Sequence, residues 1–303
     1  MIVNLPNGNS PLEEYEAFSD VDFIITDLDG TLIDGEAPVL GQIKRLITKL
    51  KKKHTQITIA TGRTYYGAKA RMNELGVDVG MPVALYNGGV VMEYGTGNVL
   101  YASYVPNKVV QDLLKIVDLK RANIYIYNFS ADLSFTIDDK KECVDEQVYV
   151  LGHGEGGLEV NGMNVQYISS DDNLNAKISA VLIEKDSMQQ GEKEKVMEWL
   201  KQYSGIKITD SGNGYIEIKG NGRNKGVIYD ILRSHEKFFG KKILAIGDND
   251  NDIELFKEAD ISVAVANSSA LAFASADYIC ENESAQGFYE MLQVLESAKR
   301  YYQ

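Results

Sequence analysis

Residues 22–33 read DFIITDLDGTLI. An apolar run climbs to Thr26, meets Asp27 and Asp29, and turns away at Gly30-Thr31. A short run without polar alternation is the signature of a strand covered on both faces. Ligands of open parallel sheets gather outside the carboxyl ends of the strands, where these two aspartates stand. In an extended segment, residues i and i+2 point to the same side. Both carboxylates would then face one small space. Like charges that close are unfavourable unless a cation neutralises them or one holds a proton. The pattern suits a metal site with acid–base work; the competing reading is a simple Asp-Gly turn.

The segments on the C-terminal side continue the theme. Ile43, Leu46, Ile47 and Leu50 have amphipathic helix spacing, closed by Lys51, Lys52 and Lys53, which answer the helix dipole. QITIATGR (56–63) predicts a strand, TYYGAKARMNEL (64–75) a helix stopped by Gly76, and PVALYNGG (82–89) a third strand. That order implies a parallel sheet with right-handed crossovers. From residue 91 the rhythm changes. A hairpin is predicted around Gly95–Asn98, a helix over 107–119, and strands at NIYIYNF (123–129) and LSFTID (133–138). KISAVLIE (177–184), a helix over 193–203, IKITD (206–210) and YIEIKG (215–220) follow. Strand and helix then alternate again: a helix from 223, KILAIGD (242–248), a helix from 251, ISVAVAN (261–267) and a helix over 285–297. The fold class is α/β, a Rossmann-like parallel sheet core interrupted by an α+β insert. The expected parts are a polar arm at 1–20, a core of 21–90 with 216–303, and an insert at 91–215.

Composition narrows the function. Of 303 residues, 44% are hydrophobic and 25% charged, as in ordinary soluble domains. No run approaches the roughly 18 apolar residues of a membrane span, and the N-terminus lacks a basic start and an apolar core, so it does not read as a secretory signal. Two cysteines, Cys143 and Cys280, stand far apart in no metal spacing, which points to a reducing compartment, the cytoplasm. A net charge of −13 argues against nucleic acid. It also demands an explanation for any anionic substrate. Nothing in the pattern fixes an oligomeric state.

A second acidic cluster ends another apolar strand: LAIGDNDND carries Asp248, Asp250, Asn251 and Asp252. Carboxylate-rich sets suit hard cations such as magnesium. The rival EF-hand loop fails, because Ile253 and Ala259 stand where glycine and glutamate are required. Asn251 and Asp252 also suit a helix cap. Thr61-Gly62 closes a strand before a helix, where a hydroxyl and N–H groups make an anion cradle. Lys225 lies near a helix start, where the dipole disfavours a lysine, so a compensating role or a solvated surface position are the alternatives. GHGEGG (152–157) matches G-x-G-x-x-G but lies in the insert with no helix behind it, so a dinucleotide site is discounted. His54, His153 and His235 form no zinc spacing. Tyr125 and Tyr127 read as one face of a sheet and Trp199 as core.

DLDGT, TGR, Lys225 and GDNDND, in that order at strand ends, resemble the four motifs of the haloacid dehalogenase superfamily of phosphotransferases. The insert between the second and third motifs is similar to the type-two cap of the Cof-like sugar-phosphate phosphatases, as are YNGG and ADYICENESAQGF. The arm and SAQG, where the branch has an acidic residue before the glycine, depart from the pattern. The resemblance covers about residues 21–297. It implies a magnesium-dependent phosphatase of small phosphorylated metabolites. Asp27 would be the nucleophile and Asp29 the acid–base. Magnesium would be held by Asp27, the Asp29 backbone carbonyl and Asp248, supported by Asp252. Thr61, Gly62, Lys225 and Asn251 would hold the phosphoryl group, and Thr31 would steady the nucleophile. One metal ion, one lysine and N–H dipoles give an acidic protein the local positive potential an anion needs. A phosphomutase, or an inactive sensor of a phosphorylated ligand, are the alternative functions. The insert is expected to choose the leaving group and to move on glycine-bearing junctions.

Overall fold

The computed structural model describes residues 3–116, 123–131, 136–137, 140–141, 144–151, 163–169, 172, 174–185, 188, 191–210 and 214–302. The chain forms two compact units: Met1–Gly62, Ala68–Gly88 and Asn224–Gln303 make the first, Arg63–Gly67 and Gly89–Arg223 the second.

The first unit is built on a six-stranded sheet in the order Val3–Asn4, Tyr278–Ile279, Ile261–Ala264, Ile243–Gly247, Phe23–Thr26, Gln56–Ile59. Every neighbouring pair is parallel. All four residues of Phe23–Thr26 are buried, which is why that segment carries no polar alternation. The helix Gly41–Lys52 buries Ile43, Leu46, Ile47 and Leu50, the stripe set by its spacing. Pro82–Leu85 runs beside the second motif strand through a single parallel bridge, Ala60 to Ala84, and Thr61 N donates to Ala84 O at 2.9 Å. The N-terminal arm packs here: Val3–Asn4 adds the edge strand, and the 3-10 helix Leu12–Phe18 buries Tyr15 and Phe18. Phe18 meets the Tyr278 ring at 5.0 Å between centroids, and its burial is worth about 1.5–3 kcal/mol.

The second unit holds a six-stranded sheet ordered Asn164–Tyr167, Val144–Leu151, Ile124–Ala131, Ile178–Glu184, Tyr215–Gly220, Ile206–Asp210. Its pairs are antiparallel except the first. Ile124, Ile126, Val181, Ile183, Ile216 and Ile218, at every second position, form one core with the helices Asn107–Ile116 and Glu192–Leu200. Trp199 is partly buried against that core. Tyr125 and Tyr127, on the alternate positions, are buried too. The predicted hairpin is Val90–Glu93 with Val99–Ala102. The expected insert boundaries were 90/91 and 215/216; the units divide at 88/89 and 223/224. The later exit follows from Tyr215–Gly220, which pairs on both edges within the insert's sheet. The strand Val144–Leu151 went unpredicted although Val144, Val148 and Val150 alternate along it. GHGEGG, Cys143 and His153 lie outside the described residues, as do Leu133–Phe135 and Asp138 of LSFTID. Among the described residues, no helix is long and apolar enough to cross a membrane.

Candidate active site

The site grows from two adjacent strands. Phe23–Thr26 and Ile243–Gly247 pair in parallel, so Asp27 and Asp248 leave the sheet side by side. The turn behind Asp27 is tight: Leu32 N and Ile33 N both donate to Leu28 O, at 2.9 and 3.0 Å. Gly30 takes φ +77°, and a Cβ there would fall 2.5 Å from Asp248 Oδ2. Glycine is thus required twice over, by conformation and by the second aspartate.

The described residues gather three carboxylates, Asp27, Asp248 and Asp252, with oxygens within 4.8 Å of one another. Asp29 is exposed and outside that group. The turn at Leu28–Ile33 ends the extended conformation, so the rule that i and i+2 share a side no longer operates there. The Asp29 carboxyl therefore does not join the group of three.

Asp252 is fully buried, and both of its oxygens are occupied. Oδ2 accepts from Asp248 N and Asn249 N, each at 3.1 Å. Oδ1 pairs with Lys225 Nζ at 2.7 Å. Asn249 is the N-cap of the 3-10 turn Asp250–Asp252, with Asp252 closing a capping box, and Asp252 in turn occupies the N-cap position of the helix Ile253–Glu258 without a side-chain cap bond. Lys225 is no surface lysine: it is 0% exposed and also pairs with Asp27 Oδ1 at 2.9 Å. Thr31 Oγ1 donates to Asp248 Oδ1 at 2.9 Å. Its hydroxyl therefore steadies the fourth-motif aspartate rather than the expected Asp27.

One ammonium faces three carboxylates, and the charges show it. Burial raises the Asp27 carboxyl to about 8; Lys225 opposes this, and Asp252 and Asp248 add to it. Burial and Asp252 raise Asp248 to about 6, against the Thr31 hydroxyl and Lys225. For Lys225, burial disfavours the charged form, but Asp252 and Asp27 outweigh burial and hold the ammonium charged. The all-oxygen donor set of Asp27 and Asp248, short of positive charge, fits a hard divalent cation.

The remaining predicted residues meet around one neighbour. Asn251 Nδ2 donates to Asn87 Oδ1 at 2.9 Å, and Asn87 N donates to Thr61 O at 2.9 Å. Thr61 is buried and Gly62 exposed beside the Asn87 amide. Within the second unit, Glu146 accepts from Tyr65 N and Tyr66 N at 2.6 and 2.8 Å.

Three supporting residues escaped sequence reasoning. Asn87 lies in YNGG, a stretch that marks the family resemblance but by itself indicates no role. Glu254 accepts from Asn224 N and Nδ2, both at 3.0 Å, and so anchors the residue before Lys225. Asn267 Nδ2 donates to Gly30 O at 2.9 Å. Only a polar residue just past a strand end signalled Asn267, and nothing in the local pattern signalled Glu254.

A Rossmann-like sheet with its aspartates at adjacent strand ends and a buried lysine between them defines a haloacid dehalogenase-type hydrolase. Residues 24–292 match the haloacid dehalogenase-like hydrolases, and the chain belongs to that family, in its Cof-like branch. The 5-amino-6-(5-phospho-D-ribitylamino)uracil phosphatase YitU of Bacillus subtilis is 26% identical over 258 residues, 80% of this chain and 86% of that protein. A haloacid dehalogenase-like hydrolase from Bacteroides thetaiotaomicron superposes with a TM-score of 0.69 at 21% identity, over 93% of this chain and 100% of that one. The subclass IIB sugar phosphatase BT4131 superposes with a TM-score of 0.65 at 16% identity, over 91% of this chain and 99% of that one.

Proposed function

We propose that the protein is a magnesium-dependent phosphatase of small phosphate monoesters, working through an aspartyl-phosphate. The observation that carries this reading is the fully buried Lys225 bridging Asp27 and Asp252 at 2.9 and 2.7 Å. An ammonium sunk between two carboxylates is a poor stabilising device and a good fixed charge for a phosphoryl group. A carboxylate of Asp27 attacks phosphorus, the P–O bond to the leaving group breaks, and Asp29 gives its proton to the departing oxygen. Asp29, now a carboxylate, takes a proton from water, which attacks the phosphoryl group and returns Asp27 and inorganic phosphate. Thr61, Gly62, Asn251 and Lys225 hold the equatorial oxygens. Magnesium would be held by Asp27, the Asp29 carbonyl and Asp248, and would neutralise charge developing on the phosphoryl oxygens.

The core residues address only the phosphoryl group, which all such esters share. The named relatives act on different leaving groups, a ribitylaminouracil and a sugar. The second unit is the part of the chain left to choose among them. A phosphate-release screen over sugar, nucleotide and cofactor phosphates, with and without EDTA, tests the reading. Release of phosphate from one class, lost on chelation and in Asp27→Asn, is the expected result. Full turnover after exhaustive chelation overturns the metal, and turnover by Asp27→Asn overturns the nucleophile.

A further inference from the structure

The strand Pro82–Leu85 runs into three successive left-handed residues: Tyr86 at φ 51°, Asn87 at 52° and Gly88 at 83°. Glycine accepts this freely, but tyrosine and asparagine in succession do not, and such strain persists where the surroundings over-determine it. The contacts show what fixes it. Asn87 N donates to Thr61 O, and Asn87 Oδ1 accepts from Asn251 Nδ2, both at 2.9 Å. Gly88 lies against the Asn224 carbonyl and Lys225 N so closely that no side chain fits. One tripeptide touches the Thr61, Asn251 and Lys225 segments, which enter from separate parts of the sequence.

We infer that Asn87 is a positioning residue for the transferring phosphoryl group, acting through Asn251; the inference rests on the phosphatase reading above. Among the described residues, Asn251 Oδ1 is buried with no hydrogen-bond partner, an unfavourable state for an acceptor. Phosphoryl oxygens only accept, so Asn251 must serve them with Nδ2. Turning the Asn251 amide over moves Nδ2 to where the unpartnered oxygen stands. Its oxygen then faces Asn87 and needs a donor, which Asn87 supplies by the same turn. Two primary amides stay bonded to each other in both orientations. Aspartate at 87 only accepts, so it would keep Asn251 Nδ2 for itself and leave Oδ1 against the phosphoryl group.

Two variants that tolerate the left-handed backbone test this, Asn87→Gly and Asn87→Asp. The readouts are kcat and KM for an aryl phosphate, the inhibition constant of inorganic phosphate, and the thermal shift given by inorganic phosphate with magnesium. Asn87→Gly should weaken inorganic phosphate about tenfold, one hydrogen bond's worth. Asn87→Asp should weaken it about 100-fold, with the thermal shift lost and the melting temperature without phosphate nearly that of the parent. A purely structural residue would lower the melting temperature and leave the inhibition constant alone. Inhibition constants within twofold of the parent in both variants overturn the role of Asn87 while the parent's turnover upholds the phosphatase. A parent that binds phosphate but releases none from any ester sinks the phosphatase reading, and the shifts of the variants still judge Asn87. A parent with neither binding nor turnover overturns both.

Discussion

Replacing Lys225 by methionine keeps the stem of the side chain and removes the ammonium. In the parent that ammonium lies 2.9 Å from Asp27 and 2.7 Å from Asp252, with no exposure to solvent. Asp252 would retain two backbone N–H bonds on its other oxygen. Asp27 would lose its counter-charge. Breaking a buried pair by deleting one partner costs about 3–5 kcal/mol, or about two to three and a half decades in the unfolding equilibrium. Protonation caps the loss. Lys225 lowers the Asp27 pKa, which already stands at about 8, so deleting it raises that value further. A group whose folded pKa exceeds its unfolded value binds more protons when folded, and its contribution falls as pH rises. The variant's deficit should therefore be small near pH 5 and largest above pH 8. The assay is urea unfolding in EDTA across that range, followed by far-ultraviolet circular dichroism. The only tryptophan, Trp199, reports the inserted unit, so its fluorescence serves as the internal control. A Lys225→Met protein whose core unfolds like the parent at every pH would refute the buried bridge.

Further outcomes follow from the same geometry. Asp27→Asn should fold, because Lys225 keeps Asp252, yet it should give no acid-stable phosphoenzyme and no turnover; ester hydrolysis by the purified variant would show the nucleophile misassigned. Protons compete with a cation for Asp248, raised to about 6, and Asp27, raised to about 8. The thermal shift given by magnesium should therefore grow from pH 5 to pH 8, and a pH-independent shift would place the ion elsewhere. Gly30→Ala puts a Cβ 2.5 Å from Asp248 Oδ2 at φ +77°. It should cost about 1–3 kcal/mol and weaken magnesium at least tenfold by calorimetry, whereas unchanged affinity would mean that Asp248 can move away freely. Exchanging the second unit for that of another family member should reorder the ester preferences and keep the Asp27 phosphoenzyme; an unchanged ranking would remove the insert from substrate choice.

The parallel core was legible because its strands are covered on both faces and so read as unbroken apolar runs, as in Phe23–Thr26 and Ile243–Gly247. Asp27, Asp248 and Lys225 were legible because a carboxylate at a buried strand end, or a lysine at a helix start, is unfavourable without a purpose. The exposure of Asp29 was not, since it depends on a turn closed when Leu32 N and Ile33 N, several residues later, donate back to Leu28 O. Glu254 and Asn87 were hidden for another reason. Their partners, Asn224 and Asn251, lie 30 and 164 residues away, and no local period encodes such a pairing. The glycines at the insert's exit have a local reason that the sequence did not show. Gly220 and Gly222 carry no unusual φ; they sit where a Cβ would strike Ser103 and Tyr101.

The central strand Phe23–Thr26 waits for its partner Ile243–Gly247, and this sets an order of events during synthesis. About 220 residues separate them, so at ribosomal rates of about 5–20 residues per second one edge of the strand stays open for about 10–45 s. The insert's sheet, by contrast, lies wholly within residues 89–223, so it can close while the chain is still growing. A nascent chain halted near residue 240 would carry the whole insert and both aspartates of the first motif, Asp27 and Asp29. It would have neither Asp248 nor Asp252, and it would expose an unpaired apolar strand edge, the form in which newly made chains most readily join one another. The gap in the core's sequence thus defines a window in which a chaperone that shields strand edges has the most to do.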